Sequence, residues 1–213
     1  HSFATAAPFN LGNTIMGYGL SLASSSGMRH ALPHKAISIM GDGGFWHNGL
    51  TSGVSSAVFN EHDGLLIVID NGYSAATGGQ DIPSLVEPNL IATTLDAEQP
   101  KRDSWQTIED ACRGAGVKWI RTVSTYNISA MKETLRSALT TDAPGLKVVV
   151  AEGECMLNRQ RRIKPLIRKA VSEGQRVKRA RFYIDPETCT GDHGCIRLSG
   201  CPSLTIRENP DPL

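Results

Sequence analysis

The chain has 213 residues, enough for one sizeable hydrophobic core plus an appendage. With 40% hydrophobic and 20% charged residues its composition is ordinary for a soluble globular protein, and no apolar run approaches the length that spans a bilayer, which excludes a membrane helix. The formal net charge of +1 is unevenly spread: residues 1–158 carry −5, residues 159–181 carry +9 and residues 182–213 carry −3, a composition shift that marks a boundary.

No secretory signal is visible, so the expected location is cytoplasmic. The chain begins at His1 without Met and stops at Leu213 shortly after a Cys-Pro pair, which reads as an excised piece of a longer polypeptide. Five cysteines, Cys112, Cys155, Cys189, Cys195 and Cys201, form an odd set with three crowded at the end. Without a secretory context this favours reduced thiols and metal ligation over disulfides.

In chain order, residues 11–28 are rich in small residues with apolar positions at helical spacing, and predict a helix. Gly12, Gly17 and Gly19 weaken a free helix, so close packing must compensate. His30 and His34 flank Pro33 in a predicted loop and read as solvated. Ala36–Met40 and Leu65–Asp70 are short strand-like runs, separated by room for one crossover helix, so the unit reads as βαβ. Ligands in such sheets bind outside the carboxyl ends of the strands.

Both of those ends carry unusual chemistry. Gly41-Asp42-Gly43-Gly44 follows the first strand, and Asp70-Asn71-Gly72-Tyr73 ends the second. A carboxylate in one loop and an amide in the other offer hard oxygen ligands, which suits Mg²⁺ held jointly with substrate phosphates. The glycines let backbone N–H groups approach a phosphate closely. Phe45 and Trp46 come next and read as core fillers, the alternative being a wall of a cofactor site. His47 and Asn48 open the crossover helix. His47 is either a cap or, kept neutral by the helix N-terminus, a proton acceptor or donor.

Residues 81–103 contain prolines and mixed polarity and predict a surface loop. A helix over about 104–115, a strand over about 117–123, a helix over about 128–140 and a strand over about 146–151 complete an alternating pattern. The expected fold is α/β, with a mostly parallel sheet and helices on both faces. Cys112 reads as a core residue, and residues 140–145 as a turn. The basic block from Arg159 is read as a docking or linker surface, or else as a nucleic-acid-binding module. The tail spaces its cysteines as Cys189-x₂-Asp192-x₂-Cys195-x₅-Cys201-Pro202. Iron–sulfur ferredoxins use C-x₂-C-x₂-C with a Cys-Pro following, and here Asp192 stands at the second ligand position. A zinc knuckle or an unmetallated loop is the alternative.

The Gly-Asp-Gly loop, followed after a helix and a strand by Asn71, resembles the diphosphate-binding signature of thiamine diphosphate enzymes. Residues 70–80, DNGYSAATGGQ, resemble the 2-oxoacid:ferredoxin oxidoreductase branch, and within it the indolepyruvate:ferredoxin oxidoreductase type. This resemblance implies a thiamine diphosphate-binding fold over residues 1–155, a basic linker over 156–182 and an incomplete ferredoxin-like segment over 183–213. It implies that Gly41, Asp42, Gly43, Gly44, Asn71, Tyr73 and Thr77 bind the cofactor, and that Asp42, the Asn71 side chain and the Tyr73 carbonyl hold Mg²⁺. Cys189, Asp192, Cys195 and Cys201 would hold a [4Fe–4S] cluster, with Cys155 or a residue outside the chain as rival fourth ligand. The implied activity is oxidative decarboxylation of a 2-oxoacid, an aryl pyruvate such as indolepyruvate, to its acyl-CoA, with ferredoxin as electron acceptor. The activating glutamate is expected from a separate pyrimidine-binding domain or subunit, in a dimer or larger assembly, with no membrane or nucleic acid involved. A non-redox thiamine diphosphate decarboxylase or carboligase is the competing enzyme reading.

Overall fold

The computed structural model describes residues 7, 10–12, 15, 17–28, 31, 33–74, 78–84, 106–177, 184–185, 187–192, 194 and 198. The chain divides into two compact units, His1–Arg168 and Lys169–Leu213. The first holds a four-stranded, all-parallel sheet of order β1-β2-β4-β3, built from β1 (Ile37–Gly41), β2 (Leu65–Asp70), β3 (Trp119–Ser124) and β4 (Lys147–Glu152). The chain therefore passes from β2 to the far edge at β3 and returns to place β4 between them.

Burial explains the strand sequences. Val148, Val149, Val150 and Ala151 of β4 are all buried because β4 lies inside the sheet with both faces covered. β1 is an edge strand and alternates instead, with Met40 buried while Ile37 and Ile39 are 51% and 41% exposed. One face of the sheet, through Met40, Leu66, Val68, Val148 and Val150, packs in a cluster with Leu22, Phe45, Ile108 and Cys112. These last four come from α1 (Ser21–Gly27), the crossover after β1, and α4 (Ile108–Gly114). The other face, through Leu65 and Val149, packs on Ala138, Met131 and Leu135 of α5 (Ile128–Thr140). Helices thus flank both faces, as the alternating pattern predicts. Cys112 is fully buried in this core, and burial pushes its thiol up to about 12.

Two helix starts are set by side-chain caps. The Thr107 hydroxyl accepts from the Asp110 N–H at 2.9 Å at the start of α4, and Asn127 Oδ1 accepts from the Ala130 N–H at 3.0 Å at the start of α5. The crossover between β1 and β2 is one continuous helical run: α2 (Asp42–Gly44), a π-helical stretch (Phe45–Val54) and α3 (Ser55–Phe59). The wider helix lies close to β1, since a Cβ on Gly49 would meet Met40 Sδ at 2.5 Å. π-helical turns recur at functional sites, and this one begins directly behind the first glycine loop.

One expectation needs correction. The helix expected over 11–28 starts only at Ser21. Gly19 sits at φ +74°, and a side chain there would run into the Gly44 carbonyl oxygen, so the chain turns at this point to let two backbones touch. The basic stretch read as a linker forms a helix along much of its length, α6 (Met156–Ser172), with Pro165 inside it. Along α6, Ile163 and Ile167, four residues apart, are half-buried, whereas Arg161, Lys164 and Arg168 are exposed. The loop expected over 81–103 lies mostly outside the described residues, as does His30, whereas His34 is exposed as expected. Among the described residues no helix is long and apolar enough to cross a membrane.

One buried charge is part of the sheet. Lys147, with no exposed surface, gives its ammonium to the half-exposed Asp63 carboxylate, which Lys35 also approaches at 3.6 Å. Partial burial pushes Asp63 upward, but the two ammonium groups outweigh it and hold the carboxyl below its ordinary range. A depressed folded pKa means that this stabilisation is complete above the ordinary aspartate range and is lost as the pH falls through the lower, folded value. Asp63→Asn leaves the Lys147 ammonium buried without its counter-charge. It should cost about 1.5–3 kcal/mol in urea unfolding at neutral pH and flatten the acid limb of the stability curve. Lys147→Met should be far milder, because the Asp63 carboxylate left behind is half-exposed and keeps Lys35 beside it.

Candidate functional site

The carboxyl ends of β1 and β2 converge as the βαβ reading requires. Asp42 is 2% exposed. Its Oδ1 accepts from the Gly43 N–H at 2.7 Å, and its Oδ2 accepts from the N–H groups of Asn71 and Gly72 at 2.8 and 2.9 Å. One carboxylate thus bolts the second loop to the first. Asn71 Oδ1 accepts from the Tyr73 N–H at 3.3 Å and shapes the turn that presents the Tyr73 carbonyl. The Tyr73 side chain is core: its ring is 3% exposed and its hydroxyl donates to Cys155 Sγ at 2.8 Å. Burial, and then that bond, push the phenol up to about 12. Cys155 therefore belongs to the end of the sheet that carries the two loops.

The electrostatics of this end are unusual. Burial raises the Asp42 carboxyl, and the N–H groups of Asn71, Gly43 and Gly72, with the Asp70 side chain, pull it back only in part. Asp70 is pushed up to about 7, first by burial, then by the Asp42 charge and the hydrogen bond between the two side chains, with Glu152 adding repulsion. Two carboxyls in contact inside a protein cannot both ionise cheaply, so the pair retains a proton. The ends of three adjacent strands, β1, β2 and β4, supply these acids.

A third segment closes the site. The Tyr18 hydroxyl and Ser74 Oγ share a hydrogen bond of 2.7 Å, and this pair sits over Gly43 so closely that a Cβ there would touch the Tyr18 hydroxyl and lie 2.5 Å from Ser74 Oγ. Ser74 bridges to Gln80, its N–H donating to the Gln80 carbonyl at 2.8 Å. A cavity of about 340 Å³ opens here, lined by the polar Ser74, Gln80, Asp81 and His47, by Gly43, and by Tyr18, Trp46, Ile82 and Pro83. Phe45 fills the core as expected, and Trp46 packs against that core half-buried while its indole N–H donates to Ser84 Oγ at 2.9 Å beside the cavity. His47 is exposed, with its ring 5.6 Å from that of Tyr18.

Of the residues singled out from the sequence, Gly41, Asp42, Gly43, Gly44, Asn71 and Tyr73 come together in this one place, and Thr77 lies outside the described residues. Sequence reasoning assigned no site role to Tyr18, Asp70, Ser74 or Gln80. The last three stand in the 70–80 motif that carried the resemblance, whereas Tyr18 had no such signal. In the tail, Cys189 is exposed, and Asp192 Oδ1 accepts from the Thr190 hydroxyl and the Gly194 N–H, each at 3.0 Å. Cys195 and Cys201 lie outside the described residues. Among the described residues no three His, Cys, Asp or Glu side chains are gathered as a metal cluster.

The model of the family "Thiamine pyrophosphate enzyme, C-terminal TPP binding domain" matches residues 3–150, which include both loops. The chain is 30% identical over 209 residues to "Indolepyruvate oxidoreductase subunit IorA" of Methanothermobacter thermautotrophicus, covering 97% of this chain and 29% of that protein. It is 32% identical over 188 residues to the subunit of the same name from Archaeoglobus fulgidus, covering 87% and 26%. It thus spans less than a third of these relatives. In architecture it is similar to the 2-oxoglutarate:ferredoxin oxidoreductase of Magnetococcus marinus, with a TM-score of 0.52 at 17% identity over 65% of this chain and 46% of that one. The strand ends that gather Asp42 and Asn71 are thus part of a matched domain, and the chain belongs to the thiamine pyrophosphate enzymes, whose C-terminal cofactor-binding domain it carries.

Proposed function

We propose that this chain is the diphosphate-binding part of an oxidoreductase that decarboxylates an aryl 2-oxoacid such as indolepyruvate, joins the acyl group to CoA and passes the released electron pair through an iron–sulfur cluster to ferredoxin. The observation that carries the proposal is the Asp42 carboxylate, buried between the two glycine-containing loops and tied to both. The donor chemistry fits a diphosphate with Mg²⁺. Three of the roughly four lone-pair positions of Asp42 accept backbone N–H groups, and burial with the Asp42 charge raises the neighbouring Asp70 carboxyl, a repulsion that a divalent cation would offset. Asp42, the Asn71 amide oxygen and the Tyr73 carbonyl would hold the metal, while Gly41, Gly43, Gly44 and Thr77 would face the diphosphate.

When bound, thiamine diphosphate supplies the carbanion-stabilising centre that makes loss of CO₂ from a 2-oxoacid feasible. The contribution of this chain is to grip and orient that cofactor and, through Cys189, Asp192, Cys195 and Cys201, to carry a [4Fe–4S] cluster for the electrons. A pyrimidine-binding domain or subunit completes the site, and the assembly is a dimer or larger. The names of the relatives and their greater length support this reading. The test uses the full-length enzyme with its partner subunits under anaerobic conditions. Ferredoxin reduction should require indolepyruvate, CoA, thiamine diphosphate and Mg²⁺ together. Release of CO₂ that needs neither CoA nor ferredoxin would favour a non-redox decarboxylase instead, and zinc in place of iron would remove the electron path.

A further inference from the structure

The cavity beside the two loops has a division of character that the cofactor contacts do not explain. Its polar border, Gly43 and Ser74, belongs to the loops assigned to the cofactor. Most of the remaining surface is an apolar wall of Tyr18, Trp46, Ile82 and Pro83, with His47, Gln80 and Asp81 adding polar groups to the lining, and each part of the wall is fixed from behind. The Trp46 indole is held by its 2.9 Å bond to Ser84 and by edge-on contact with the Phe45 ring, centroids 5.1 Å apart at 86°. Tyr18 is held by its 2.7 Å bond to Ser74. Ile82 is 4% exposed, and the Pro83 carbonyl accepts from the Gln106 N–H at 3.2 Å. A rigid apolar wall facing a few polar groups is how a protein selects a flat apolar ligand, because the surface is shaped before the ligand arrives.

We propose that this cavity is the slot for the aromatic side chain of the 2-oxoacid, and that Trp46 is its specificity-determining face. The inference rests on the functional reading above and goes beyond it by naming the residues that choose the substrate. An indole or phenyl group covers the wall of Trp46, Ile82 and Pro83, whereas the methyl group of pyruvate leaves it wet. Loss of such apolar contact discriminates between substrates by roughly 10–200-fold. Trp46 lies directly behind the Gly41–Gly44 loop, so the slot and the cofactor grip are built on one helical run.

The experiment compares indolepyruvate with pyruvate in the full-length enzyme with its partner subunits, together with thiamine diphosphate affinity measured calorimetrically. Wild type should favour indolepyruvate. Trp46→Ala should lower kcat/KM for indolepyruvate roughly tenfold or more beyond any loss on pyruvate, with a smaller change in cofactor affinity. Ser84→Ala, which frees the indole without removing it, should give a smaller loss in the same direction, and it serves as the test should Trp46→Ala fail to fold. Equal losses on both substrates, or weakened cofactor binding alone, would overturn the slot, as would an unchanged preference. Wild-type enzyme that turns over pyruvate but no aryl oxoacid would instead sink the functional reading, and the slot with it.

Discussion

Asp42→Ala should abolish measurable Mg²⁺-dependent binding of thiamine diphosphate at concentrations that saturate the wild type. The substitution removes the anionic oxygen nearest the proposed metal and, with it, the acceptor for three backbone N–H groups. Charge-assisted bonds of this kind are worth roughly 1.5–3 kcal/mol each, and leaving a buried N–H without a partner adds to the loss. A loss of about 3 kcal/mol in binding corresponds to roughly 150-fold in Kd. Calorimetric titration of the full-length enzyme measures the affinity, and thermal unfolding separates loss of grip from loss of fold. Asp42→Asn is the sharper variant. It keeps the size and one acceptor oxygen, so the second loop stays partly anchored, but it offers the metal no charge. Stability near that of wild type with weakened cofactor binding would locate the effect in the metal. Wild-type affinity in Asp42→Asn would remove the residue from the site.

Gly43→Ala is the second large effect. A Cβ at this position would collide with the Tyr18 hydroxyl and lie 2.5 Å from Ser74 Oγ and 2.8 Å from Ser74 Cβ. Overpacking usually costs about 1–3 kcal/mol. Here the only relief is to separate Tyr18 from Ser74, which would loosen the loop that presents the Tyr73 carbonyl. The variant should unfold at lower temperature and bind cofactor more weakly, and combining it with Ser74→Gly should recover part of both losses by making room. Gly41 provides the comparison, since nothing lies within 4 Å of a Cβ built there and its φ of −82° suits any residue. Gly41→Ala should therefore leave the unfolding temperature almost unchanged. Equal destabilisation at both positions would mean that the crowding over Gly43 is not what constrains the loop.

The contrast between these two glycines shows where sequence reasoning stops. Both stand in the same four-residue motif, and chain order makes them equivalent. The difference is made by Tyr18 and Ser74, which lie 56 residues apart and meet only because the turn at Gly19 and the loop after β2 close on the same point. Lys147 is similar. Its place at the head of a valine run gives no hint that its ammonium is buried, because Asp63, 84 residues away, is brought beside it by the pairing of β2 with β4.

What the sequence determined by itself was everything with a local period or a fixed short spacing. The β-branched runs predicted all four strands, and the alternation of strands and helices predicted a parallel sheet covered on both faces. The Gly-Asp-Gly loop with Asn71 one crossover later marked the ends of two adjacent strands and the family to which the chain belongs. These features are legible because strand pleat, helix periodicity and loop chemistry act over a few residues. Tertiary structure alone decided the strand order, which sets β4 between β2 and β3 and adds Glu152 to the acids at the site. It also decided the contact between the Asp42 and Asp70 side chains that raises the Asp70 carboxyl, the bond from Tyr73 to Cys155 and the aromatic wall at Trp46. Each of these depends on the distance between side chains far apart in the chain, and that distance is set by how the elements pack rather than by any one of them.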